Sequence, residues 1–416
     1  MTAAGATVGT QPLWRDRSFS VFWLSQTLSV AGDSFGIIAV PLLVLHATGS
    51  VTQMGLLTGL AGAGMLASGI FAGVLADRLD RRALLIGCDL ARMLLYALIP
   101  LVWWIAPQVW LLYLVLPVSA AVGMLFRVTY VTAVRNLVDA DRLTEANGKL
   151  HATYALAGVG GPLLAGVVSG LFGPATAVAV NAAGFAASAV GLFFVRLRST
   201  SPAPAAAVQE RPWQQLLDGA RFLWRHPVLR ALTVLLSLFG FVTLGLTDVL
   251  IYYLKHDLGH TDRIVGVVMA VGATGTIIGA LVVAAVRRRI GFGAAWIGAH
   301  TLCGVAVACV GLARSVPVVA VLLAVYLGCV SIASICSMSL RQEVTPDHLL
   351  GRVTSAFWTL HLSLGPVGAA LLAWAAGRFG VPAVILVAGS ACILIALAAL
   401  GTPIRLPRPE RLTVTT

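Results

Sequence analysis

The sequence predicts an all-α integral membrane protein in which about twelve transmembrane helices form two pseudo-symmetric six-helix bundles. Three observations carry this. The 416 residues are 59% hydrophobic and only 11% charged, with a mean hydropathy of +0.93, whereas soluble domains carry about 25% charged residues. The apolar residues fall into runs of the ~20 residues needed to cross a hydrocarbon core. The chain also repeats itself at about half its length.

The runs cover about 18–45, 52–76, 83–105, 108–132, 148–171 and 174–195, then 231–254, 264–286, 293–313, 316–340, 353–377 and 381–401. Each is read as a helix, because a segment in lipid must satisfy its backbone polar groups internally. The first run starts near Ser18 and outruns a signal peptide's apolar region of about 7–15 residues, so no signal peptide is expected. Cys88, Cys303, Cys309, Cys329, Cys336 and Cys392 all lie inside apolar runs and form no CxxC pair. They read as small buried side chains, with no metal site and no disulfide expected.

The formal net charge is +12, which on its own would suit nucleic acid. The charges instead alternate between loops. With the N-terminus in the cytoplasm, 23 of the 28 Lys and Arg residues fall on inner loops or inner helix ends; Lys255, Arg263, Arg314 and Arg378 fall outside, and Arg92 lies within the third run. Basic residues concentrate on cytoplasmic loops, so both termini are expected inside and no nucleic-acid partner is expected.

Leu13-Trp14-Arg15 before run 1 matches Leu223-Trp224-Arg225 before run 7. "RNLVDADRL" (135–143) before run 5 matches "RQEVTPDHL" (341–349) before run 11, and Gly161-Pro162 matches Gly365-Pro366. The division that follows is a first bundle over 1–195, a cytoplasmic linker over 196–229, a second bundle over 230–401 and a tail over 402–416. The linker opens with the Pro/Ala-rich "STSPAPAAAVQE". Trp213, Leu216, Leu217, Ala220, Leu223 and Trp224 then follow helical spacing between Pro212 and Pro227, which predicts a short amphipathic helix on the inner membrane surface.

"GVLADRLDRR" (73–82), between runs 2 and 3, resembles the signature loop of the major facilitator superfamily, Gly-x-x-x-Asp-Arg-x-Gly-Arg-Arg/Lys. Gly73, Asp77, Arg78, Arg81 and Arg82 match; Asp80 replaces the second glycine, a departure common in the branch that resembles macrolide and siderophore exporters. "SVAGDSF" in run 1 and "LGRVTSAFW" opening run 11 are similar to the same branch. The resemblance implies the major facilitator fold and secondary-active transport. It implies too that Asp77 faces the positive N-terminal end of the run-11 helix, near Arg352–Ser355, as a cytoplasmic gate. Arg78, Arg81 and Arg82 are expected to meet anionic headgroups. A charge cluster serving topology alone is the alternative.

"GKLHATYALAGVGGPLLAG" (148–166) in run 5 resembles the antiporter motif of drug exporters. Gly148, Gly161, Pro162 and Gly166 match, while Ala157 and Ala165 stand where the pattern has glycine. The resemblance implies proton-driven export. In run 2, Gly55-x-x-x-Gly59 and Gly69-x-x-x-Gly73 let another helix approach closely, for sliding or for static packing.

An ionisable group within a span is a functional candidate. Asp33 lies roughly 22 Å along the first helix, near the midplane. Unpaired, it could load and release a proton; bonded to serines such as Ser29, it would be structural. Asp248 falls in the outer third of run 7, in the vestibule or at the interface. Asp89 and Arg92, three residues apart, read as a structural ion pair that Arg127 joins. His361 and His151 are proton relays or simply hydrogen-bonded. Runs 1, 4, 7 and 10 offer the cavity candidates Gln26, Phe35, Trp110, Tyr113, Phe239, Phe241 and Tyr326.

No GxSxG, HExxH or GxxxxGK[ST] is present, so neither a membrane enzyme nor an ATP-driven pump is expected. An aromatic cavity poor in polar groups suits an amphiphile. The resulting expectation is a monomeric, multi-pass protein of the bacterial inner membrane. It would export a hydrophobic or amphiphilic molecule, such as an antibiotic, macrolide, siderophore or other secondary metabolite, with a proton gradient and no cofactor. The alternative is an importer or facilitator of a small nutrient.

Overall fold

The computed structural model describes residues 15–135, 137–138, 142–195, 212–346 and 349–411. Every regular element among them is helical. The first half comprises α1 (Arg17–Thr48), α2 (Val51–Arg78), α3 (Arg81–Ile105), α4 (Val109–Arg135), α5 (Leu143–Phe172) and α6 (Pro174–Phe193). A short helix, α7 (Pro212–Arg225), precedes the second half. That half contains α8 (Pro227–Thr243), α9 (Leu246–Tyr252), α10 (Asp262–Leu312), α11 (Val316–Val344), α12 (Leu350–Ser363), α13 (Gly365–Phe379) and α14 (Val381–Ala398).

Ten helical segments among the described residues are long and apolar enough to cross a membrane. One is α10, whose 51 residues would extend about 76 Å if straight, over twice a hydrocarbon core. It breaks at Gly291, where φ is 80° and ψ 173°, and so supplies two antiparallel arms, the predicted runs 8 and 9. Only glycine takes that φ without strain. With α2, 28 residues long, the crossings number twelve. Runs 7 and 11 are each broken midway instead. α8 passes to α9 through Leu244 and Gly245, and α12 passes to α13 at Gly365-Pro366. Proline lacks the backbone donor that would continue a helix and fits the first turn of a new one. Pro162 in the matching place lies within an unbroken α5.

The ends of α1–α3 are set by local chemistry. Asp16, Ser50 and Asp80 accept from Phe19 N, Gln53 N and Ala83 N at 3.1, 3.3 and 2.7 Å. Asp80, where the signature loop has glycine, thus caps α3, a contact worth about 1 kcal/mol.

The start of α1, the end of α6 and α7 share one face of the molecule, the linker face; the α1–α2 turn and the start of α10 lie on the far face. The apolar core is divided accordingly. One cluster pools Ile38, Leu42 and Leu57 of the first half with Val249, Val265 and Ala373 of the second. Two further clusters belong to one half each: Phe19, Leu85 and Leu150 in the first, Phe292, Trp296 and Cys336 in the second. The halves are therefore fused toward the far face and keep separate cores toward the linker face.

Part of the apolar side of α7 is covered. Leu223 is fully buried and clusters with Leu229, Val353, Ala356 and Phe357, while Gly219 abuts the backbone of Arg352. Asp218 reaches Arg352 at 3.5 Å. Of the stripe anticipated on the membrane surface, Leu216, Ala220 and Leu223 thus pack against α12, while Trp224 stays 54% exposed.

Candidate functional site

A cavity of about 400 Å³ opens in the second half between α8, the second arm of α10, α11 and α12. Phe239, Tyr326, Phe357 and Trp358 supply its aromatic lining; His300, His361 and Arg341 supply its cationic or titratable groups, and no Asp or Glu among the described residues lines it. His300 meets the Phe239 ring edge-on at 4.5 Å, and its Nδ1 lies 3.0 Å from Trp296 O. His361 stacks on Phe357 at 5.5 Å, and its Nδ1 is buried without a hydrogen-bond partner. Arg341 is 2% exposed. Its guanidinium lies 3.8 Å from the Phe357 ring centroid, a cation–π contact. Its Nη2 meets the Met338 sulfur at 3.0 Å, and its Nε and Nη1 have no partner among the described residues.

The first half presents a different chemistry. Asp33 of α1 is ion-paired with Arg92 of α3, and 46% of the Asp33 side chain stays exposed. Arg92 lies 3.9 Å above the Phe185 ring of α6. The pair differs from the expectation of an unpaired Asp33 and an Asp89–Arg92 bridge. The i,i+3 spacing put Asp89 and Arg92 on one helix face, but the guanidinium crosses to α1. Asp89 is fully buried, with Ser29 and Ser188 the hydroxyls beside its carboxyl group. Arg127 is exposed on α4. Buried Gln26 and Asn181 have unpartnered side-chain polar atoms.

The far face is closed by close helix approach. A Cβ on Gly59 of α2 would stand 2.6 Å from Pro366 O, and Gly166 of α5 and Gly266 of α10 would clash with each other's backbone. Gly161 packs on Ser34 of α1, while Gly148 faces open space. Asp262, 3% exposed, ties the halves together there. Its carboxylate meets His46 of α1 at 3.2 Å, Ser169 of α5 at 2.9 Å and Lys255 at 2.5 Å. Asp248, also 3% exposed, sits beside Thr58 of α2, with its Oδ2 unpartnered.

Of the anticipated cavity residues, Phe239 and Tyr326 line the cavity. Phe35 is buried in the fused core, Tyr113 packs against that core, and Phe241 presents its backbone to Gly368. Trp110 is 63% exposed at the start of α4 and bonded to Gln108 nearby. In the signature loop, Arg82 donates to the carbonyls of Leu192, at 3.1 Å, and Phe193 at the end of α6, so it secures a helix terminus rather than standing free for headgroups. The Gly73, Asp77, Arg78 and His151 side chains lie outside the described residues. Arg341, His300, Trp358 and Asp262 carried no site assignment from sequence. Arg341 and Asp262 sit at run ends, where a charge reads as ordinary loop chemistry.

Two helical halves joined at one face, with a cavity between helices of the second, define a multi-pass membrane transporter. The family model of the Major Facilitator Superfamily matches residues 22–367, and the chain belongs to that family. It is 27% identical over 381 residues, 90% of this chain and 92% of the relative, to the multidrug efflux pump Tap of Mycolicibacterium fortuitum. It is 25% identical over 362 residues, 85% of this chain and 84% of the relative, to the enterobactin exporter EntS of Citrobacter koseri. Its fold is similar to the crystal structure of the nucleoside transporter NupG, with a TM-score of 0.76 at 11% identity, covering 92% of this chain and 98% of that one. A bacterial homologue of the lysosomal transporter Spinster, in an inward-facing and occupied conformation, gives 0.75 at 14% identity over 96% and 98% of the two chains.

Proposed function

We propose that this transporter exports a hydrophobic or amphiphilic small molecule from the cytoplasm in exchange for protons, by alternating access. The observation that carries the reading is the aromatic cavity in a molecule fused at its far face and divided toward its linker face. The Lys/Arg asymmetry supports a cytoplasmic linker face. The conformation is then the one that loads substrate from inside. Relatives named as an efflux pump and an exporter support the direction.

Asp33 is the proposed proton site, acting through Arg92. A proton on Asp33 cancels the ion pair, leaving Arg92 with the Phe185 ring and a buried charge to re-pair. That change favours a different packing of α1 on α3, and a ligand moves a two-state equilibrium only through such a difference. The test is efflux from membrane vesicles under an imposed pH gradient. Asp33→Asn is expected to abolish uphill efflux and to keep substrate binding. Unchanged pH-driven efflux by this variant would move the proton site to His361 or Asp248. Efflux indifferent to a protonophore would reject proton coupling.

A further inference from the structure

A second cavity, about 700 Å³, lies on the linker face between the first arm of α10, α11 and the C-terminal tail. Arg287, Arg288, Arg289 and Arg408 line it, against one carboxylate, Glu410. Arg287 is held by Glu343 at 2.6 Å, while Arg288, Arg289 and Arg408 are exposed. The tail is fixed in place: Phe292 N and Gly293 N donate to Pro407 O and Leu406 O at 2.9 and 3.2 Å. Ile335 of α11 lines this cavity and the aromatic one alike, so the two adjoin.

An arginine-rich pocket therefore lies beside an aromatic cavity that no described Asp or Glu lines, and whose one arginine has two N–H-bearing nitrogens without partners among the described residues. An unpaired charge in a span is costly and awaits a counterpart. The one polar contact Arg341 makes among the described residues is to a thioether, a weak acceptor standing where a ligand oxygen would bond better. Met338 is 40% exposed and flexible, so a ligand can displace it. In the first half, Asp33 is already paired with Arg92, and Asp89 is fully buried within that half beside Ser29 and Ser188.

We infer that the substrate is an amphiphilic organic anion, an aromatic body bearing a carboxylate, sulfonate or phenolate, with Arg341 as its specificity-determining residue and Arg288, Arg289 and Arg408 drawing it in. This deepens the export reading and rests on it. The aromatic body lies against Phe239, Tyr326 and Trp358, and the anion replaces the Met338 sulfur at Arg341.

The test uses the full chain in phosphatidylcholine nanodiscs and two dyes with one xanthene ring system, the anion fluorescein and the cation rhodamine 123, read by fluorescence anisotropy. The wild type is expected to bind fluorescein the more tightly. Arg341→Gln should weaken fluorescein about 10–100-fold, the loss of a charge-assisted hydrogen bond, and leave rhodamine 123 unchanged or tighter. Arg341→Lys, which keeps the charge, should recover part of the loss, and a thermal melt of each variant establishes folding. The Arg288→Gln/Arg289→Gln double variant should slow fluorescein association and flatten its salt dependence. Tighter binding of rhodamine 123 by the wild type, or equal losses of both dyes on Arg341→Gln in a folded protein, overturns the inference alone. Binding of neither dye overturns it together with the export reading.

Discussion

Arg82 shows how one side chain in a signature loop can be assigned by its partners. Its bonds to Leu192 and Phe193 complete the carbonyl end of α6, so its first role is to hold α6 against α3. Arg82→Gln is expected to cost about 1–2 kcal/mol, the range for a cation at a helix C-terminus. This should appear as a lower melting temperature with transport per folded molecule retained. Loss of transport at unchanged stability would return Arg82 to gating. Asp33 was legible as a midplane carboxylate because charges in apolar runs stand out. Its partner was not, since Arg92 lies 59 positions away on another helix and spacing rules report only neighbours on one helix. Arg341 was hidden for a related reason. At the end of run 10 it counted toward topology, and only the fold brings α12 and its Phe357 over it.

At the level of elements, the twelve crossings and their order were legible because each run is bounded by charge, Gly or Pro. The repeat of Gly161-Pro162 by Gly365-Pro366 marked the right places, yet only the second breaks its helix. The glycines of α2 were legible as a close-approach surface, and Gly59 meets Pro366 at the break between α12 and α13. A side chain at 59 must push α13 off α2, because the atom it meets is backbone and cannot swing away. Gly59→Leu is therefore expected to prevent closure of the far face. Transport should fall by more than about tenfold, the loss expected when a single closed state loses ~1.4 kcal/mol or more. Membrane abundance should be retained, and a cysteine placed at Ala63 on α2 should gain access to a thiol reagent applied from the far side. Wild-type transport by Gly59→Leu would show that α2 and α13 need not meet during the cycle.

For the whole molecule, the question is what holds the far face shut while the linker face is divided. Apolar contact alone gives little preference, since lipid tails are as apolar as the helices they would replace. The buried Asp262 carboxylate gives direction, because its contacts to His46 and Ser169 come from the other half and exist only when the halves meet. Separating the halves at this face strips two of its three partners and leaves it with Lys255. Hydrogen bonds to a charged group contribute about 1.5–3 kcal/mol each, so even one of the two lost contacts holds the far-open state down by about 10–100-fold. Asp262→Asn keeps the size of the side chain and its bond to Ser169 but removes the charge shared with His46 and Lys255. The far-open population should rise accordingly. Spin labels on cysteines replacing Pro107 and Ser315, exposed positions on the far face of opposite halves, report the separation directly. Five of the six native cysteines are buried, so only Cys309 needs exchange for serine. A longer-distance population that grows in Asp262→Asn, and grows further in the Asp262→Asn/His46→Ala double variant by less than the sum of the single effects, is the expected result, since residues sharing one contact are not additive. Identical distance distributions in wild type and Asp262→Asn would leave the far face held by helix packing alone.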